Sequence, residues 1–309
     1  MKAVQYHEFG GPQVMQVEEV AAPGVANGEV LVRVKATSVN PVDWKVRSGA
    51  AAAIVQFPMP IIPGGDLAGV VEQVGTGVSG FKVGDEVFAL IGLMGASAEL
   101  VAVDATKLAH KPSNLTFEEA ASLPLVALTA WQGFFSEERD VAGKVVLIHN
   151  AAGGVGSVAV QIAKARGARV IATASAKNAD FVRALGADEI VDFRTTPVSS
   201  RQQDVDVLMD LVGDKAAVDL WSLVKPGGTV IRIAGGADAE ALAQEGGLSI
   251  IKTRVRPNGE QLAQIAGLVA AGKVRPSVAE VLPWEQIAQA HELSKSGRVR
   301  GKVVLTFNV

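Results

Sequence analysis

At 309 residues the chain is about twice a common domain length, so two domains or one large one are the starting options. A formal net charge of -3 with 20% charged residues offers no broad basic surface for nucleic acid. A small-molecule partner is the default on that charge balance, and the absence of cysteine excludes disulfides, thiolate nucleophiles and cysteine-ligated zinc.

The amino terminus has no long apolar stretch of the secretory type, because Glu8 follows at once, and a cytoplasmic protein is expected. The first third is punctuated by glycine and proline, with β-rich runs at 29–36, 68–73 and 85–89, the pattern of many short strands joined by turns. Mean hydropathy is +0.28, and two stretches, 120–136 and 145–163, lack Asp, Glu, Lys and Arg. Pro124 and Thr129 interrupt the first, and His149, Asn150 and a glycine cluster the second. Both read as buried strands and helices rather than membrane spans.

From about residue 118 apolar strands alternate with longer helices. Strands are expected at 144–149, 169–173, 189–192, 205–210, 229–233 and 248–254, with helices at 154–166, 178–185, 215–223, 238–244 and 259–271. The fold class is α/β, with a doubly wound, parallel six-stranded sheet of the Rossmann kind. A strand at 277–282, a helix at 284–296 and a strand at 302–307 are too few for a third domain, so this tail is expected to return to the first.

The strongest chemical signal is the run VVLIHNAAGGVG at 145–156, followed by a helical pattern. An apolar strand feeds a glycine turn that opens a helix, which brings backbone N–H groups and the helix dipole to a pyrophosphate. Gly153 allows close backbone approach and Gly156 lets the helix pack on its strand, while Ala151 stands where the usual fingerprint has its first glycine. At the end of the second strand an NAD site places a carboxylate on the ribose 2′-hydroxyl. Residues 171–177, IATASAK, contain none. Ser175 and Lys177 are instead suited to a 2′-phosphate, so NADP (NADPH) is the expected cofactor.

With the motifs GEVLVRV at 28–34, NPVD at 40–43, PGGDLAGVV at 63–71, VGDEV at 83–87, LTA at 128–130 and GKVVL at 301–305, the chain resembles the zinc-free quinone oxidoreductase branch of the medium-chain dehydrogenase/reductase superfamily. The resemblance implies a GroES-like, β-rich catalytic domain over 1–122 and 275–309 around a Rossmann NADP-binding domain over 123–274, with substrate and nicotinamide in the cleft between them. Zinc-bearing relatives carry Cys in the Asn40 region and His where this chain has Gly65, so no metal site is expected. The resemblance further places Asn40 beside the nicotinamide, Thr129 near its ribose, and Gly153, Gly154, Val155 and Gly156 against the pyrophosphate. Ser175 and Lys177 would hold the 2′-phosphate, and Phe193 occupies a position where relatives often have Tyr. Val212, Ala234 and Val255 would line the nicotinamide pocket through backbone groups, with Lys302 near the cofactor. Relatives commonly dimerise through the last Rossmann strand, so a homodimer is expected, although 234–247 is short for the family.

The activity implied is zinc-independent hydride transfer from NADPH to a quinone or to the activated C=C bond of an enone or enal. The partner is then a small apolar electrophile, with neither membrane nor nucleic acid. Asn40 is the candidate catalytic residue, an amide able to polarise a carbonyl; the alternative is a turn residue before Pro41. Tyr6 reads as lying on a surface strand, and Asp43 and Lys45 as structural or exposed. The four histidines show no metal spacing, and no Gly-x-Ser-x-Gly elbow of a hydrolase occurs. Alanines at 50–53 and the apolar run 54–62 suggest a lid. A non-catalytic NADPH-binding protein, acting as a sensor, structural protein or nucleic-acid binder, is the alternative reading.

Overall fold

In a computed structural model the described residues are 1–51, 57–135, 139–192, 194–196, 200, 203–214, 218–234 and 239–307, with only the backbone described at 239–242. Phe193, residues 52–56 of the suggested lid and the start of the helix expected at 215–223 lie outside them. The chain divides into two units. The first comprises Met1–Leu125, Arg256–Ala270 and Pro276–Val309, and the second Val126–Val255 and Ala271–Arg275.

In the first unit β1 (Lys2–Gln5) pairs antiparallel with β2 (Gln16–Glu19). The larger sheet is built on β3 (Glu29–Val39), in which Val30, Leu31, Val32, Val34, Ala36 and Val39 are buried while Glu29, Arg33 and Lys35 are only partly so. Around it lie β4 (Asp66–Val74), β5 (Glu86–Leu90), β6 (Leu100–Asp104), β7 (Leu108–His110), β14 (Val278–Pro283) and β15 (Lys302–Thr306), in the order β14-β15-β3-β4-β5-β7, with β6 also paired to β3. Except for the parallel β14–β15 pair, these ladders are antiparallel. The tail therefore returns to the first unit and inserts beside β3, as expected. Register decides what meets at one end of the sheet: Val303 faces Val39 across β15–β3, and Ser38 faces Asp66 across β3–β4. Lys302, Asn40 and Asp66, far apart in sequence, become neighbours.

The helix Gly259–Ala270, which the sequence groups with the parallel strands, belongs to the first unit, where Asn114 Nδ2 donates to Val269 O at 3.2 Å. Its periodicity predicts a helix but not which sheet receives its apolar face.

The second unit contains β8 (Val145–Ile148), β9 (Arg169–Thr173), β10 (Glu189–Val191), β11 (Val205–Asp210), β12 (Val224–Arg232) and β13 (Ser249–Lys252) in the order β10-β9-β8-β11-β12-β13, every neighbour parallel. This is the doubly wound order expected from the sequence. β12 starts five residues earlier than expected. Pro226-Gly227-Gly228 reads as a turn, but it forms an irregularity inside the strand, between the pairs Val205–Val224 and Val207–Thr229. The core includes Leu147, Ile171, Leu208, Leu220, Trp221 and Val230, all buried. Leu147 sits at zero exposure on a central strand. Leu147→Ala should lower unfolding free energy by about 2–5 kcal/mol, read from the denaturant midpoint; a loss under about 1 kcal/mol would mean the site collapses without a cavity.

Candidate active site

The turn after β8 is held from three sides. His149 N donates to Met209 O (3.0 Å) on β11, and Ala151 N to Thr173 O (3.1 Å) at the end of β9. Asn150 N donates to Thr173 Oγ1 (2.9 Å), and Gly153 N closes the turn on Asn150 O (3.1 Å). Asn150 is the one non-glycine with positive φ among the described residues, at 62°, and Asn tolerates this region better than most side chains. That explains the departure at Ala151: the left-handed residue is its predecessor, so position 151 does not require glycine. Gly156 cannot be replaced so easily, because a Cβ there would stand 2.3 Å from Asn150 O and 2.7 Å from Ala151 Cα.

Gly153 is the N-cap of the helix Gly154–Ala165. The first turn of any α-helix leaves N–H groups without intrahelical acceptors, so this end offers donors and positive dipole to a phosphate. The cradle fits a dinucleotide pyrophosphate. His149 Nδ1 shares a hydrogen bond with Thr173 Oγ1 (2.8 Å), and burial lowers its pKa against the opposing pull of Asp210 and Asp214, keeping the imidazole neutral.

Because the six strands are parallel, their carboxyl ends lie along one edge of the sheet, where open α/β sheets bind ligands. Ser175 and Lys177 follow β9, Ser175 capping a 3-10 turn whose Asn178 N donates to Ser175 O (2.8 Å). Lys177 is exposed and Ser175 half-buried. Val212 follows β11, and the buried Asp210 carboxylate secures that loop by accepting from Val212 N (3.0 Å) and Gly213 N (2.8 Å). Ala234 follows β12 and Val255 follows β13, both half-buried. Thr129 is buried within the helix Pro124–Phe135. The sequence reading missed Thr173 and Asp210; only the parallel pairing reveals them.

In the first unit, the end of the sheet buries a network of charge. Lys302 Nζ donates to Val39 O (2.8 Å) and to Asn40 Oδ1 (2.5 Å), and lies 3.6 Å from Asp66 Oδ2. Asp66, at zero exposure, also accepts from Asn40 Nδ2 (2.7 Å), Ser38 Oγ (2.7 Å) and Leu125 N (2.7 Å). Burial lowers the Lys302 pKa, opposed by Asp66 and Asp43. An ammonium has three N–H donors, and Lys302 meets Val39 O, Asn40 Oδ1 and Asp66 within this unit, which fixes the orientation of the Asn40 amide. Asn40 is itself 1% exposed and precedes the helix Pro41–Arg47; its backbone N–H donates to Asp43 Oδ2 (2.7 Å).

Asp43 is structural, as expected, but deeply buried. Desolvation pushes its pKa to about 7, only partly offset by the Asn40 N–H and Lys302. Tyr6 is not on an exposed surface: it has zero exposure, and burial, with Asp43 nearby, raises its hydroxyl to about 12. His291, buried beside Arg47, is held down to about 3 by burial and by that guanidinium. Gly65, where zinc-bearing relatives carry His, is packed so closely that a Cβ would lie 2.2 Å from Gly92 O. Among the described residues, no three His, Cys, Asp or Glu side chains gather as a metal site.

Residues 26–113 match the family described as alcohol dehydrogenase GroES-like domain, and residues 185–305 the family described as zinc-binding dehydrogenase. An NADPH-dependent alkenal/one oxidoreductase, chloroplastic, of Arabidopsis thaliana is 37% identical over 99% of this chain and 79% of its own length. A quinone oxidoreductase of Rattus norvegicus is 34% identical over 99% and 97%. The solved structure of the quinone oxidoreductase from Coxiella burnetii superposes with a TM-score of 0.89 at 31% identity, covering 100% of this chain and 99% of that one. The chain belongs to the medium-chain dehydrogenase/reductase superfamily and, within it, to the quinone oxidoreductase branch.

A carboxyl group whose folded pKa is raised binds a proton that the unfolded chain has already released. Between the ordinary carboxylate range and about 7, Asp43 therefore makes stability fall as pH rises, by about 1.4 kcal/mol per unit. Asp43→Asn removes this slope. Urea unfolding at about pH 5 and about pH 6.5 should show the variant gaining on the parent at the higher pH; a difference that does not change with pH would contradict the buried-acid assignment.

Proposed function

We propose that this protein is an NADPH-dependent, zinc-independent oxidoreductase that reduces quinones or the activated C=C bond of enones and enals. The observation that carries the reading is the cradle at Gly153–Gly156 combined with a β9 end whose own residues, 171–177, include Ser175 and Lys177 and no carboxylate. Relatives named for alkenal/one and quinone reduction support it.

In this reading the N–H groups at Gly153, Gly154, Val155 and Gly156 hold the pyrophosphate, and Ser175 and Lys177 hold the 2′-phosphate. Thr129 serves the ribose, and the backbone at Val212, Ala234 and Val255 lines the nicotinamide pocket. NADPH, when bound, supplies the hydride. The chain's contribution is to hold the reactants in place and exclude water. When the substrate's carbonyl gains negative charge, Asn40 offers it the second Nδ2 hydrogen, the first being held by Asp66 and the amide oxygen by Lys302. The carbanion's proton then comes from water.

The assembly we propose is a homodimer in the cytoplasm. β13 ends the six-strand order, and its outer edge presents a row of peptide groups suited to pairing with a second copy. Among the described residues, no helix is long and apolar enough to cross a membrane.

NADPH oxidation by purified protein in chelator-treated buffer, against 1,4-benzoquinone, phenanthrenequinone, a 2-alkenal and a cyclic enone, tests the activity. Turnover is expected with NADPH, and Lys177→Ala should raise the KM for NADPH by about 10–100-fold, the worth of one charged hydrogen bond, while leaving NADH unaffected. Tight NADPH binding with no turnover on any substrate would favour a binding protein instead.

A further inference from the structure

The 3-10 turn after β9 is held by a residue from the next strand. Asp192, just past β10, accepts from Ala176 N through Oδ2 at 3.3 Å, and Ala176 lies between Ser175 and Lys177. The same carboxylate is clasped by Arg194: Nε donates to Oδ1 at 2.8 Å, Nη2 to Oδ2 at 2.5 Å, and the Arg194 backbone N–H to Oδ1 at 3.2 Å. The Arg194 hydrogen bonds hold the Asp192 carboxyl down to about 2, so it is an anion at any pH where the protein works.

That anion is awkward beside a nucleotide phosphate. A carboxylate bonded to the backbone of the 175–177 turn is the arrangement by which a site repels a dianion, since like charges within a few ångströms disfavour each other. Arg194 cancels it. Its fork geometry spends one edge on the carboxylate, and the guanidinium carries five N–H donors in all. The Nη1 hydrogens and one Nη2 hydrogen are not committed to Asp192, and 70% of the side chain is exposed. A guanidinium anchored to the turn by a bidentate ion pair is thus pre-oriented to give a phosphate its remaining edge.

We propose that Arg194 recognises the 2′-phosphate of NADPH, acting as the third cationic or polar contact of that subsite beside Ser175 and Lys177 and setting the preference for 2′-phosphorylated nucleotides. The inference rests on the reading of Ser175 and Lys177 as the 2′-phosphate site.

Calorimetric titration of the whole protein with adenosine 2′,5′-bisphosphate and adenosine 5′-monophosphate tests this without turnover. Arg194→Ala should weaken the bisphosphate about tenfold or more and leave the monophosphate unchanged, and Arg194→Lys should recover part of the loss. Lys177→Ala is the control for the underlying reading. If Lys177→Ala weakens the bisphosphate and Arg194→Ala does not, the Arg194 assignment is overturned and the subsite stands. If neither variant matters, the subsite reading falls as well. Equal weakening of both ligands by Arg194→Ala would reduce Arg194 to a brace for the turn and overturn the proposal.

Discussion

The buried ammonium of Lys302 is the constraint around which the first unit is arranged. Taking a lysine and an aspartate out of water costs several kcal/mol for each charge, and the cost is offset only where the geometry supplies near-complete hydrogen bonding. Here the ends of β15, β3 and β4 supply it: a carbonyl from Val39, an amide oxygen from Asn40 and a carboxylate from Asp66 around Lys302, with Ser38, Asn40 and Leu125 completing Asp66. Removing Lys302 or Asp66 strands the other's buried charge. The network therefore ties the carboxy-terminal strand to the sheet and fixes the amide of Asn40 in one orientation.

The second unit relies on backbone rather than on buried charge. Its turn after β8 is shaped by a left-handed Asn150 and a Gly156 with no room for a side chain, and it is pinned to the neighbouring strands through Met209 and Thr173. A loop fixed this way before any ligand arrives costs little to organise at binding. Carboxylates do the corresponding work on two other loops, Asp210 behind Val212 and Asp192 behind Ala176. Each accepts backbone N–H bonds, and the Asp192 charge is matched by the bidentate Arg194 guanidinium.

Much of this was legible in one dimension. The six apolar runs of the second unit emerge as parallel strands within a few residues of their expected limits, because a strand covered on both faces leaves a run of Val, Ile and Leu that no loop would carry. The glycine turn was legible for the same local reason. Burial of polar side chains was not. Tyr6 reads as part of a surface strand and Asp43 as structural or exposed, yet both side chains are fully buried. The strand expected at 229–233 begins at Val224 instead, because turn-type residues at 226–228 also serve an irregularity inside a strand.

Sequence alone determined the strand–turn–helix order, the lack of a carboxylate at the end of β9 and the lack of cysteine, because each depends on neighbours in the chain or on composition. Tertiary structure decided which residues meet. Lys302 reaches Asn40 from 262 positions away, Arg194 bridges to the β9 turn through Asp192, and the helix Gly259–Ala270 joins the first unit. Strand register and the sheet on which a helix docks are set by long-range packing, and a periodic pattern carries no address for its partner.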